Sequence, residues 1–467
     1  MTRLAKRSWR NLLLAFALSA PLSVADVFAV QAGEDASGSP EGKEEASTEA
    51  AVDWDADARV RQMMADWKAT DPVARHLLAR DDVSVVEGVA SANLNVQEKR
   101  WSKARSLAYI KAFVSAMNDY VSRVRTRHAS RLVRNQFQKD LDESDLVYRA
   151  DESADDMVSR VATKALALGE RKLDTALEQS GMSPEEVERL TPPQKRIAFS
   201  DRLLLEATTE AVGSAHGLVP IKTFEALDDE GGSAIAVVAV HSPRMKKLAE
   251  QIAAGKAMRP DAERARTPIV DQVGELSDRD LVYEFGPRVW WDEHGYPTVA
   301  AFGQWAWSPE GLDKRKKARR RDFAMEQAES DAVSHLAMFV NVATRFSRES
   351  VRGEEAEEFH RVWQDGTVSD DETERITDSL TRSAQVNSEA ALTGLEVRRE
   401  WFSRHPDLEG HELVGVVVSW SPAQEDRIRA ELGKKPKHQP PADERERKSS
   451  ISSETAESRD LMDPADF

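Results

Sequence analysis

SVVEGVASA at residues 84–92 and TVAAFGQWAW at residues 298–307 decide the fold, because each sets one glycine in a strand-like pattern and each is followed by a helix spaced with alanines. The first alternates well enough to be a β-strand, and Trp101 to Val124 behind it has helical periodicity. Behind the second strand, Arg319 to Thr344 does the same. Ala108, Ala112 and Ala116 form a stripe on one helix, and Ala324, Ala328 and Ala332 form it on the other. Gly88 and Gly303 lie 215 residues apart and Ala108 and Ala324 lie 216 apart, so barely a residue of slippage separates strand from helix. Alanine is also the best helix former, which explains a helix but not the matched offset. The chain therefore reads as one small unit present twice, with each helix lying close on its own sheet.

The match resumes downstream. His216 to Leu227 and Ala234 to Pro243 look like a strand pair, and Thr393 to Phe402 with Leu413 to Pro422 repeats it. Both second strands end in Ser-Pro and run straight into a helix, Arg244 to Ala254 and Ala423 to Leu432, where serine caps and proline suits the first turn. Ser242 and Ser421 lie 179 residues apart, so the first copy carries roughly 37 extra residues between its alanine helix and its strand pair. A helix near Asp151 to Gly181 accounts for them. Each unit is β-α-β-β-α, with the last two strands antiparallel because only a short loop joins them. The fold class is α+β.

The glycine-bearing strand, the helix with alanines every four residues and the later strand pair together resemble the LPP20-type envelope domain, the family that includes the flagellar H/T-ring assembly protein. The resemblance covers most of each copy and implies a periplasmic structural or assembly role; it supplies no catalytic residues. The lipidation cysteine of some such proteins has no counterpart in a chain with 0 Cys.

The ends differ from the middle. MTRLAKRSWR is cationic, and Asn11 to Ala25 is an apolar stretch too short to span a bilayer, so residues 1–32 read as a cleaved signal peptide ending near Val30-Gln31-Ala32, with Val27-Phe28-Ala29 as the alternative. Its loss removes Arg3, Lys6, Arg7, Arg10 and Asp26 and takes the formal charge from −17 to about −20. Residues 33–60 and 434–467 are polar and poor in bulky apolar side chains, the composition of a disordered linker and a disordered tail. Between them lie the first repeat with its helical insertion, 61–270, and the second, 271–433. The expected product is a soluble periplasmic or secreted protein with no transmembrane helix.

Composition excludes some chemistry. Without cysteine there are no disulfides, thiolate metal sites or thiol nucleophiles. An acidic surface disfavours nucleic acid, whose binding needs clustered cations. The ten histidines are scattered, and no zinc helix, hydrolase elbow, phosphate loop or dinucleotide fingerprint is present in a suitable context. Asp292-Glu293-His294 comes nearest to a metal cluster, but followed by Gly295 it reads better as a hairpin turn. No cofactor or metal is expected.

Two features stand out as partner-binding candidates. Trp290, Trp291, Trp305 and Trp307 place four of the 11 Trp in one hairpin, which is either core or a stacking platform; core is favoured, because large aromatics bury much apolar area. The run Lys314 to Arg321, with Lys316, Lys317, Arg319, Arg320 and Arg321, opens a helix, where cations oppose the macrodipole. A solvated helix start is favoured by a small margin over a surface that holds an anionic partner, a lipid headgroup or the chain's own acidic ends. The function expected is non-catalytic binding or assembly in the cell envelope, through a protein, an envelope component or peripheral contact with an anionic surface. The alternative is an envelope-polymer hydrolase with a carboxylate-lined cleft between the repeats.

Overall fold

The computed structural model describes residues 55–92, 95–96, 98, 101–149, 152–309, 311–341, 394–406, 408 and 411–439. The signal peptide, most of the linker, residues past 341 of the second alanine helix and residues 440–467 of the tail lie outside them. The first repeat contains β1 (Ser84–Ala92), β2 (Val219–Leu227) and β3 (Ser233–His241), in the antiparallel order β1-β3-β2. The second contains β4 (Gly286–Trp291), β5 (Pro297–Trp307), β6 (Glu396–Arg404) and β7 (Glu412–Trp420), in the order β4-β5-β7-β6. Apart from the edge strand β4, the two sheets share one topology. The fold is α+β.

The likeness extends to register. Gly88 pairs with Val237 and Gly303 with Val416. In each sheet the ladder slips once on the strand before the Ser-Pro strand, between Pro220 and Lys222 and between Val397 and Arg399, at equivalent rungs. Ser242 accepts a hydrogen bond from the Met245 amide at 3.2 Å, and Ser421 one from the Gln424 amide at 3.2 Å. Each caps the helix that follows, Pro243–Ala253 in one repeat and Pro422–Glu431 in the other.

The alanine helices are Trp101–Phe137 and Lys314–Asn341, and all six stripe alanines are buried. Gly88 is where the first helix touches its sheet: a Cβ there would sit 2.0 Å from the Ala112 oxygen and 2.4 Å from the Ala116 nitrogen. At Gly303 the same two places are 2.1 Å from the Ala328 oxygen and 2.3 Å from the Ala332 nitrogen. A side chain on the strand or a larger one on the stripe would hold helix and sheet apart. This mutual requirement is the physical reason for the glycine-alanine pattern.

Several boundaries differ from the sequence reading. A helix, Ala56–Thr70, begins within the expected linker; Asp55 caps it through the Ala58 amide, and it buries Val60 and Met64 on the outer face of the first sheet. The span from Asp151 to Gly181 holds two helices where one was expected, Ala154–Leu168 and Glu170–Gln179, because Gly169 at φ 137° breaks the run. They pack with Pro192–Ser214 on an extension of the first alanine helix, which continues past Val124 so that Ala129, Val133 and Phe137 reach that core. Residues 434–439 lie on the body. The Lys437 ammonium and His438 Nε2 reach Glu425 at 2.8 and 3.1 Å, His438 Nδ1 accepts from the Met258 amide, and the Gln439 amide donates to the Met258 oxygen. Short-range composition did not show these anchors.

Candidate functional site

The basic run begins the second alanine helix, and every residue from Lys314 to Arg321 is exposed. Asp313 precedes it and accepts from the Lys316 amide at 2.9 Å, placing one carboxylate at the helix start that seven cations otherwise oppose. Among the described residues, the run makes one ion pair, Lys316 to Asp313 at 3.4 Å, with both side chains largely exposed. The Arg321 guanidinium lies 5.4 Å from the centre of the Phe402 ring, which is 47% exposed. Phe323, two residues on, is 56% exposed. Trp305 and Trp307 share the Gly303 face of their strand, because side chains alternate, and are partly buried against the core at the same end of the helix. Cations and aromatics thus adjoin there.

The other aromatic candidates lie inside. Trp290 is buried in the core at an edge contact of 5.9 Å with Phe302, as the core reading of the hairpin holds. Trp291, its neighbour on the opposite face, is buried too: Arg264 stacks 4.9 Å over its ring and Gln272 donates to its oxygen. The segment joining the repeats covers the second face of the strand, so neither tryptophan is available to a partner. Asp292, Glu293 and His294 bring ligand atoms within 4.8 Å of one another. Asp292 Oδ1, however, accepts from the His294 and Tyr296 amides at 2.9 and 2.8 Å and closes the hairpin turn, and burial pushes its carboxyl above the usual range. This is the geometry of a turn.

The strongest charged centre escaped the sequence reading. Arg105, from the first alanine helix, makes a two-pronged bond to Glu225 of β2, Nε to Oε1 at 2.6 Å and Nη2 to Oε2 at 2.5 Å. Its Nη1 donates to Gln304 of β5 at 2.7 Å and its Nη2 to the Val282 oxygen at 2.8 Å, while its plane lies 4.6 Å over Phe285. His405 Nε2 stands 3.6 Å from Glu225. Burial alone would push the Glu225 carboxyl up, but the Arg105 charge and its hydrogen bonds, with His405 beside them, hold it down at about 2. The signal in the sequence was a cation one turn before Ala108 on a buried stripe, and a glutamine beside Gly303 pointing to the opposite face. Together these residues clamp the repeats.

A cleft of about 620 Å³ opens beside this clamp, lined by Arg59, Met63, Val96, Glu225, Asp228 and Leu408. Of its three carboxylates, Glu225 and Asp228 are engaged within the fold and Asp229, at the surface, pairs with Arg59 at 3.4 Å. Glu225 is paired with Arg105, and Asp228 Oδ1 accepts from the Glu230 and Gly232 amides at 3.0 and 2.7 Å. General acid–base work needs carboxyl groups that can exchange protons near the working pH, and Glu225 at about 2 is far from that range.

Comparison with known proteins adds little chemistry. Residues 158–254 match a domain of unknown function, DUF6844, a span that runs from within the inserted helices to the end of the helix after Ser242. No curated protein matches the chain. A solved structure of a hypothetical protein from Francisella tularensis is similar to it at 21% identity, covering 80% of this chain and 93% of that one with a TM-score of 0.49.

Proposed function

We propose that the chain is a non-catalytic binding or assembly protein of the cell envelope, delivered there by residues 1–32, whose binding surface is the exposed start of the second alanine helix. One observation carries the reading: seven cations in eight residues stand in solvent and, among the described residues, make a single exposed ion pair, in a protein of net charge −17. Like charges packed so closely repel one another and oppose the helix dipole, so they weaken the isolated protein and are relieved when an anion neutralises them. Among the described residues no helix is long and apolar enough to cross a membrane, which accords with a protein that meets its partner at a surface.

The hydrolase alternative needs a pair of free carboxyls in a cleft between the repeats; of the three carboxylates lining the cleft beside the clamp, Glu225 and Asp228 serve structural bonds and Asp229 pairs with Arg59 at the surface. Binding of the full chain to isolated envelope fractions tests the proposal. Wild type should bind at low salt and progressively less as screening shortens the Debye length to about 8 Å near physiological ionic strength. R319Q/R320Q/R321Q should bind weakly throughout; equal binding of the two proteins would leave the run as a solvated helix start.

A further inference from the structure

We infer that the anionic partner of this surface is a lipid membrane, engaged peripherally, an inference that rests on the binding role proposed above. The first ground is the shape of the charge. An acidic protein segment is recognised by a few cations fixed on one side by neighbouring groups. Lys314 to Arg321 instead point around the whole circumference of a helix and are exposed at every position. A plane of headgroups presents smeared charge, which such a spray of long, flexible cations suits; runs of four to eight basic residues are the pattern that reads anionic lipid.

The second ground is the pair of apolar rings beside the cations. Phe323 and Phe402 are 56% and 47% exposed, and the exposed Arg321 lies over Phe402. Trp305 and Trp307, partly buried, back the same end. Aromatic side chains next to a strongly cationic helical face are the composition of a surface that lies at the headgroup level: the rings enter the interface and the cations stay with the phosphates. The remainder of the chain is net acidic and is repelled by the same membrane, which favours docking through this end.

The test is co-sedimentation of the full chain with vesicles of phosphatidylcholine alone or of roughly three parts phosphatidylcholine to one of phosphatidylglycerol, with soluble polyglutamate as the lipid-free anion. Each cation at an anionic surface raises partitioning about fivefold, so R319Q/R320Q/R321Q should lower binding to the anionic vesicles about a hundredfold. F323A/F402A should lower vesicle binding several-fold and leave polyglutamate binding unchanged, because only a membrane accepts the rings. All five positions are exposed, so the circular-dichroism spectrum should not change. Equal sedimentation with neutral and anionic vesicles, or vesicle binding indifferent to both variants, overturns the inference. If wild type binds polyglutamate through the three arginines but ignores anionic vesicles, the lipid inference falls and the anion-binding role stands; if it binds neither, both fall.

Discussion

Replacing Gly88 or Gly303 with alanine probes the contact on which both repeats are built. The new Cβ would lie 2.0 Å from the Ala112 oxygen or 2.1 Å from the Ala328 oxygen, against an ordinary contact distance of about 3.5 Å. Both obstructing atoms are backbone, so no rotamer can relieve the clash. The helix must lift by roughly 1 Å or the strand must bend, and either loosens the packing of the stripe alanines. Overpacking of this kind costs about 1–3 kcal/mol, and the backbone clash puts these two at the upper end. Each substitution should therefore lower the melting temperature by a few degrees, about 1–2 °C for each kcal/mol in a body larger than 250 residues. Gly213 supplies the control: it sits in a helix with nothing within 4 Å of its Cβ position, so Gly213→Ala should raise stability by about 0.5–1 kcal/mol. Thermal and urea unfolding of the three variants gives the answer. If Gly88→Ala or Gly303→Ala behaves like Gly213→Ala, the close approach is not what those glycines provide.

Other expectations concern charge. Arg105→Met leaves the Glu225 carboxylate buried and unpaired and should cost about 3–5 kcal/mol by urea denaturation, whereas R105M/E225L should recover much of that loss because no charge is then stranded. The Glu225 pKa is held at about 2, below the unfolded value, so the stability it confers is complete above the unfolded carboxylate range and fades as pH falls towards 2; in Glu225→Gln, the loss of stability between about pH 4.5 and 2 should be shallower. Burial pushes Glu425 up but bonds from His438 and Lys437 bring it below the ordinary range, so acid should release residues 434–439. Glu425→Gln should do so at neutral pH, seen as faster amide exchange of Lys437 and His438, and unchanged exchange would show that the segment is held by other contacts.

The repeated core was legible because it rests on local rules. A strand with one glycine, a helix with alanines every fourth residue and a Ser-Pro junction each have a short-range stereochemical cause, and duplication let one copy check the other. The clamp was not legible, because Glu225 and Gln304 lie 120 and 199 residues from Arg105 and meet it only when the sheets pack. Likewise nothing in the strand of Trp291 announces that Arg264 and Gln272 of the joining segment will cover it. The helix at Ala56 and the anchored residues 434–439 are polar enough to pass for linker and tail; a few buried groups, Val60, Met64 and His438, decide otherwise. Of the binding candidates, Lys316, Lys317, Arg319, Arg320 and Arg321 are on the surface, whereas Trp290 and Trp291 belong to the interior.

The claim that the basic helix start is the binding surface is tested most directly by a charge series at that one place. Binding of the full chain to envelope fractions should be measured against salt for wild type, R319Q/R320Q/R321Q and R319E/R320E/R321E. Affinity at low salt should fall in that order, and added salt should weaken the wild type while doing little to the glutamine variant. Three superimposable salt curves would contradict it.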